Sequence, residues 1–268
     1  MSTSALSPMT AAVTPGVTIS NLRGLVNKET PGRNTSGMGT LGFLALVNGT
    51  RDRIPVLVSN RHVLLANDAP QSAPIYRPVF QHDEGQRASI TRDALESIAE
   101  LLDPGLEGNH RFQYPGEAPA DYFVDCASAR ILSNVDTVPA FLHVVDGVAT
   151  RVAIARVARL HPLDALGWRS PRVRKFGGAS GLTTGRVIEA SARVTVAGSE
   201  RLNTIAIRGD SGPFVEPGDS GALLLNERNE AVGLVWGRSE TDPRIAYASH
   251  IHPVLDRLRV TMMAGGLR

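Results

Sequence analysis

The sequence predicts an all-β fold, a barrel or a sandwich, and three observations carry that expectation. Glycine (26) and proline (17) supply 43 of the 268 residues. One punctuating residue in about six favours short segments joined by turns and argues against a bundle of long helices. Short β-type runs recur between turn signals at roughly 8–12-residue spacing. In Arg193-Val194-Thr195-Val196 polar and apolar residues alternate, the pattern of a strand with one buried and one wet face.

The elements follow in order. Residues 1–16 are small and polar and read as a flexible arm. Residues 38–48 and 54–59 are apolar runs flanking the polar turn Gly49–Arg53, a hairpin. Leu95, Ile98, Ala99 and Leu102 have helical spacing, so 92–102 is expected to be an inserted helix, and the Gly-, Pro- and charge-rich 103–120 an exposed loop. Residues 122–132 read as a strand, as do 151–158, 172–177, 183–190, 192–197, 203–208, 222–225 and 231–236. Residues 253–259 begin with Pro253 and read as a short closing helix.

Composition excludes several classes of function. Hydrophobic residues at 42% and charged residues at 20% describe an ordinary globular chain. No apolar stretch approaches the roughly 18 residues of a membrane span, so no membrane partner is expected. A net charge of +2 with no basic block gives no footprint for nucleic acid. The single cysteine, Cys126, cannot form an intramolecular disulfide. The N-terminus lacks the basic and apolar regions of a secretory signal, which predicts a cytoplasmic protein.

The strongest chemical signal is Pro217-Gly218-Asp219-Ser220-Gly221, followed by the apolar Ala222–Leu225. A serine on a tight glycine turn exposes its hydroxyl and frees backbone N–H groups to converge on one point, as a nucleophile with an oxyanion hole requires. An ordinary turn is the bland alternative. A second copy, Gly209-Asp210-Ser211-Gly212, lies upstream; there the strand precedes the turn and Pro213 follows, so Ser220 is favoured over Ser211. Of the seven histidines, His62 in Ser59-Asn60-Arg61-His62-Val63-Leu64 is best placed as a base, directly after an apolar strand. His82, His110, His143 and His161 lie in loops or turns. The pair His250 and His252 lacks the carboxylates or cysteines of a metal site. Asp125, inside the apolar Tyr122–Ala127 run, would be costly unless paired; a buried acid capping a turn is its plain reading, and Asp121, at the polar start of the strand, is its competitor.

These segments together resemble the chymotrypsin-like (trypsin-like) serine peptidases. The resemblance rests on Ser59–Leu64, Tyr122–Ala127 and Pro217–Leu225 in the order His, Asp, Ser. Phe176–Val187 and Val232–Gly237 also fit, and the match runs from about residue 37 to about residue 258, closest to disulfide-free bacterial members. It implies two packed six-stranded antiparallel β-barrels, at 17–135 and from 145 onward, with a C-terminal helix closing the second unit, 145–268. It implies a serine endopeptidase with His62 as base, Asp125 orienting it, Ser220 as nucleophile and the N–H groups of Gly218 and Ser220 as oxyanion hole. Phe214, six positions before the nucleophile, is expected at the base of the specificity pocket, with Trp236 and Gly237 lining the substrate cleft. Because Phe214 is not acidic, an apolar or small side chain is expected there rather than Arg or Lys, although Glu216 and Asp242 lie near in sequence. No cofactor or metal is implied; the partners are a protein or peptide substrate and a regulatory protein. A catalytically silent barrel used for binding is the alternative, and reaction with a fluorophosphonate probe separates the two. The activation sequence of the family, a basic residue followed by Ile/Val-Val-Gly-Gly, is absent, so Asp219 needs a partner other than a new N-terminus.

Overall fold

In the computed structural model, which describes residues 12–21, 38–65, 73–78, 95–145, 148–165 and 170–264, the polypeptide is almost entirely strand. The N-terminal half contributes β1 (Thr18–Asn21), β2 (Met38–Thr40), β3 (Phe43–Val47), β4 (Pro55–Ser59), the one-turn helix α1 (Arg61–Leu64), β5 (Pro74–Pro78), β6 (Leu95–Phe112) and β7 (Ala120–Ile131). A separate ribbon of β8 (Ala140–Val145) and β9 (Val148–Ala153) follows. The C-terminal half contributes β10 (Arg156–Val157), β11 (Arg172–Gly177), β12 (Gly181–Val196), β13 (Ser199–Gly209), β14 (Leu223–Asn226), β15 (Glu230–Arg238) and β16 (Ile245–His250), then α2 (Ile251–Leu258) and β17 (Val260–Met262).

The first sheet has the order β17-β3-β4-β7-β6-β5-β1-β2. Only Leu41 and Gly42 separate β2 from β3, so the sheet curls back on itself. The second has the order β10-β15-β14-β11-β12-β13-β16, and pairing of β15 with β16 closes six of its strands into a barrel.

Three cores explain the apolar runs. Leu44, Leu57, Ile75 and Ala127 fill the first barrel. Val173, Ile207, Phe214, Leu224 and Val235 fill the second. Between them Val56, Val58, Val124, Leu223, Leu225 and Leu234 form a third core. Strands β4 and β14 thus bury both faces, which is why 54–59 and 222–225 read as continuous apolar runs and not as alternation.

Four expectations are corrected. The segment expected as a helix at 92–102 is strand from Leu95 onward, and the expected loop at 103–120 continues as strand to Phe112. The helical spacing arises from bulges: the pairing with β5 slips between Ser97 and Ala99, so that Ile98 and Ala99 are both buried. The pairing with β7 slips twice, between Leu101 and Asp103 and again before Leu106. Gly105 makes the second slip possible, with φ +63° and its α-carbon against the Cys126 carbonyl, where a side chain has no room. The expected N-terminal arm extends too far, because Val13 is buried and its N–H donates to the Asp136 carbonyl at 2.8 Å. The C-terminal helix starts at Ile251, and β17 beyond it pairs with β3, so the chain end belongs to the first sheet.

Candidate active site

Strand β4 ends at Ser59, and α1 turns His62 toward β7. There Asp125 continues the inward face carrying Ala127 and Ala129. Asp125 is 1% exposed. Its Oδ1 accepts from the Arg61 N–H at 2.7 Å and, more weakly, from the His62 N–H at 3.4 Å. The Asn60 side-chain amide donates to the Asp125 carbonyl at 2.7 Å, fixing the two segments together. His62 Nδ1 lies 2.5 Å from Asp125 Oδ2. A carboxylate only accepts, so Nδ1 carries the proton and Nε2 is left as the acceptor. Burial presses the His62 pKa down, but the charge and hydrogen bond of Asp125, helped by the Glu107 carboxylate, raise it above the ordinary value.

The serine loop is a type II turn by its chemistry. Pro217 and Gly218 are its central residues, Gly218 has φ +105°, and the Asp219 N–H closes the turn on the Glu216 carbonyl at 2.9 Å. Among the described residues, the N–H groups of Gly218 and Ser220 have no acceptor, which leaves two donors, with Asp219 between them, for an anionic oxygen. The loop packs on the same surface as α1. A side chain at Gly39 would meet Val63 and, at 2.8 Å, the Ser220 carbonyl, and Gly221 packs on Ser59 with the Asn60 nitrogen 3.3 Å from its would-be Cβ.

Asp219 does have a partner. Its carboxylate and the ammonium of Lys175 are fully buried and 2.7 Å apart. The N–H groups of Ala179 and Ser180 donate to Oδ1 at 3.0 Å each, and the Glu216 N–H donates to Oδ2 at 2.9 Å. Burial opposes the charge, but Lys175, Ser180 and the Glu216 N–H hold the Asp219 carboxyl below the usual range. Burial likewise lowers Lys175, with Asp219 opposing it. Lys175 was not among the candidate residues, yet a signal exists: the chain has 26 arginines and two lysines, and one lysine sits in a strand facing a glycine-rich turn.

A cavity of about 130 Å³ opens beside Ser220, lined by Val215, Glu216, Pro217, Val235, Gly237 and Arg238. Phe214, expected at its base, is instead fully buried in the second barrel core, and Val215 takes the wall. Glu216 is paired with Arg238 at 3.1 Å and Asp242 with Arg208 at 3.6 Å. Gly237 lines this cavity and Trp236 lines the next one. Ser211 is exposed, and the cavity beside its turn holds Asp210, Arg172 and Arg174 but no histidine.

The other histidines lie elsewhere. His110 meets Asp256, His143 packs on Phe176, and His161 is 3.9 Å from Glu117. Burial pushes His250 down to about 4, its Nε2 on the Ala190 carbonyl at 2.7 Å, and lowers His252 as well. His82 lies outside the described residues. Among the described residues no group of three or more His, Cys, Asp or Glu could hold a metal, and no helix is long and apolar enough to cross a membrane.

No family model matches the chain, and no characterised protein matches it in sequence. Solved structures do match. Nocardiopsis protease is 15% identical with a TM-score of 0.54, covering 93% of this chain and 97% of that one. Thermobifida fusca protease A is 14% identical with a TM-score of 0.56, covering 95% and 100%. Cellulomonas bogoriensis chymotrypsin is 18% identical with a TM-score of 0.54, covering 94% and 99%. The fold is therefore the chymotrypsin-like double barrel seen in bacterial serine proteases.

Proposed function

We propose that the protein is a serine endopeptidase acting through an acyl-enzyme on protein or peptide substrates. The observation that carries this reading is the short Asp125–His62 contact on the same surface as a serine turn with two unused N–H donors. His62 Nε2 takes the Ser220 Oγ proton as that oxygen adds to the scissile carbonyl. Asp125 keeps the proton on Nδ1 and stabilises the imidazolium. The oxygen, now negative, accepts from the N–H groups of Gly218 and Ser220. His62 then returns the proton to the leaving amine, and water repeats the sequence on the acyl-serine.

Specificity follows from the small cavity. Val215 and Val235 supply apolar walls, and Glu216 and Arg238 neutralise one another at its side, so an uncharged aliphatic side chain suits the cavity and Arg or Lys finds no unpaired carboxylate there. Because Lys175 supplies the counter-ion of Asp219, no cleavage to create a new N-terminus is required.

A fluorophosphonate probe tests the reading. Ser220 is expected to become covalently labelled, Ser220→Ala to abolish labelling and peptide cleavage, and Ser211→Ala to retain both. Absence of labelling in the folded protein would favour a silent binding barrel. Mass spectrometry of a digested peptide library reads the specificity; selective cleavage after Arg or Lys would refute the aliphatic assignment.

A further inference from the structure

Arg201, at the start of β13, is a cation with too few partners. Its side chain is only 15% exposed. The guanidinium rests in the corner made by two edge-to-face rings, 4.5 Å from Phe123 and 4.3 Å from Trp236. The rings cover two sides and leave its remaining N–H edge to make hydrogen bonds. A guanidinium has five N–H donors; among the described residues its only acceptor is Glu107, at a long 3.4 Å. No Arg201 nitrogen is among the buried polar atoms that lack a partner, so its unpaired N–H groups face open space, where a ligand can supply acceptors.

Arg201 borders two cavities. One, of about 590 Å³, is lined by Glu107 and Glu200, two carboxylates to its one guanidinium, and suits an anion less well. The other, of about 410 Å³, holds Arg201, Arg238 and Glu240 over a floor of Trp236 stacked on Tyr247. Arg238 is already paired with Glu216 at 3.1 Å, so Arg201 is the cation this cavity offers. This second cavity shares Gly237 and Arg238 with the cavity beside Ser220, so the two form one trough.

We propose that this trough is an acidic-residue subsite: Arg201, beside the Arg238–Glu216 pair, binds an Asp or Glu side chain two to four residues before the scissile bond. The inference rests on the peptidase reading, because the side chain beside Ser220 belongs to the acyl half of the substrate and the trough continues from that wall. A carboxylate meets the open edge of Arg201 in the planar, two-bond geometry that guanidinium groups favour. An amide of the same shape offers one acceptor and no charge.

Binding to the Ser220→Ala protein tests this without relying on turnover. Fluorescein-labelled peptide amides ending in Leu, with Asp or Asn at each of the three preceding positions, are compared by fluorescence anisotropy. At one position Asp is expected to bind about tenfold or more tighter than Asn at low salt, the scale of a charged hydrogen bond. The ratio should shrink in 1 M salt, roughly a 3 Å screening length. Arg201→Gln should bring it near one, and Arg201→Lys should keep part of it. Equal affinities for Asp and Asn, or a ratio that survives Arg201→Gln, would overturn the subsite; the salt dependence decides the matter if that variant does not fold. Fluorophosphonate labelling of the unmutated protein is read separately. A labelled protein without acidic preference loses the subsite and keeps the peptidase reading, and an unlabelled protein that prefers Asp does the reverse.

Discussion

At the scale of single residues, the protonation of His62 is set by two ion pairs. Asp125 contacts it directly, while the Glu107–Arg201 pair acts at longer range, Glu107 raising its pKa and Arg201 lowering it. Glu107 is positioned for this because it lies opposite Asp125 in the β6–β7 ladder. The sign of the effect is definite. A base must be unprotonated to accept the Ser220 proton, so kcat/KM should rise with pH through an acid limb lying above the ordinary histidine value of 6.5. Glu107→Gln removes a carboxylate that favours the imidazolium and should move that limb to lower pH, with the plateau rate reduced less than about threefold, as for a group that does not touch the substrate. A pH profile of both proteins on one uncharged aliphatic peptide checks this, and a limb that stays fixed or moves upward would sink it. The same raised pKa adds stability that is fully present below 6.5 and is lost as pH rises through the folded value.

At the scale of elements, sequence patterning located what local chemistry controls and missed what pairing controls. The serine turn, the strand into His62 and the apolar strand around Asp125 are legible because a glycine-rich turn, the end of an apolar strand and an acid within one each have a distinctive local sequence. Strand β6 is not, since its bulges imitate helical spacing and are defined only against its neighbours β5 and β7. Phe214 is misplaced because the segment between β13 and β14 is not a strand, so no alternation shows which of the two buried neighbours, Phe214 or Val215, also reaches the cavity. Lys175 was missed because its role depends on β11 running beneath the turn that contains Asp219. That support is directly testable. Lys175→Met strands a buried carboxylate and should destabilise the fold by about 3–5 kcal/mol while slowing probe labelling. Adding Asp219→Asn should recover part of the stability. Lys175→Arg should not rescue labelling: Nζ already contacts Asp219 and Ser180 at 2.7 and 2.5 Å, and a Cβ on Gly177 would lie 2.8 Å from it, leaving no space for a guanidinium. Denaturant midpoints and labelling rates decide this, and full rescue by arginine would show that the pocket accommodates a guanidinium.

At the scale of the whole molecule, the proposed chemistry is divided between barrels that must stay in register. His62 and Asp125 belong to the first sheet, Ser220 and its turn to the second. Several contacts cross the gap: Asn109 donates to the Glu200 carbonyl at 3.0 Å, Asn203 donates to the Asp121 carbonyl at 2.9 Å, and β17 carries the chain end back to β3. One residue acts on the turn itself. Thr40 in β2 donates its N–H to the Ser220 carbonyl at 2.7 Å and its hydroxyl to the Gly218 carbonyl at 2.8 Å, while that hydroxyl accepts from the Gly178 N–H at 2.9 Å. By holding the Gly218 carbonyl toward the first barrel, Thr40 helps to keep the turn in the conformation that leaves the Gly218 N–H unpaired. Thr40→Val preserves the shape but leaves a carbonyl and an amide of the second barrel without partners, a loss of about 1–3 kcal/mol. If that loss falls on the turn and not on the barrels, probe labelling should slow by about 10–100-fold. The third core between the barrels keeps its apolar contacts, so the thermal midpoint should fall by only about 2–8 °C. Thr40→Ser retains the hydroxyl and should label at near the original rate. Labelling rates and thermal melts of the three proteins separate the possibilities: equal slowing in the serine and valine variants would mean that packing of the methyl group matters, and no slowing in either would mean that the turn holds its shape without the first barrel.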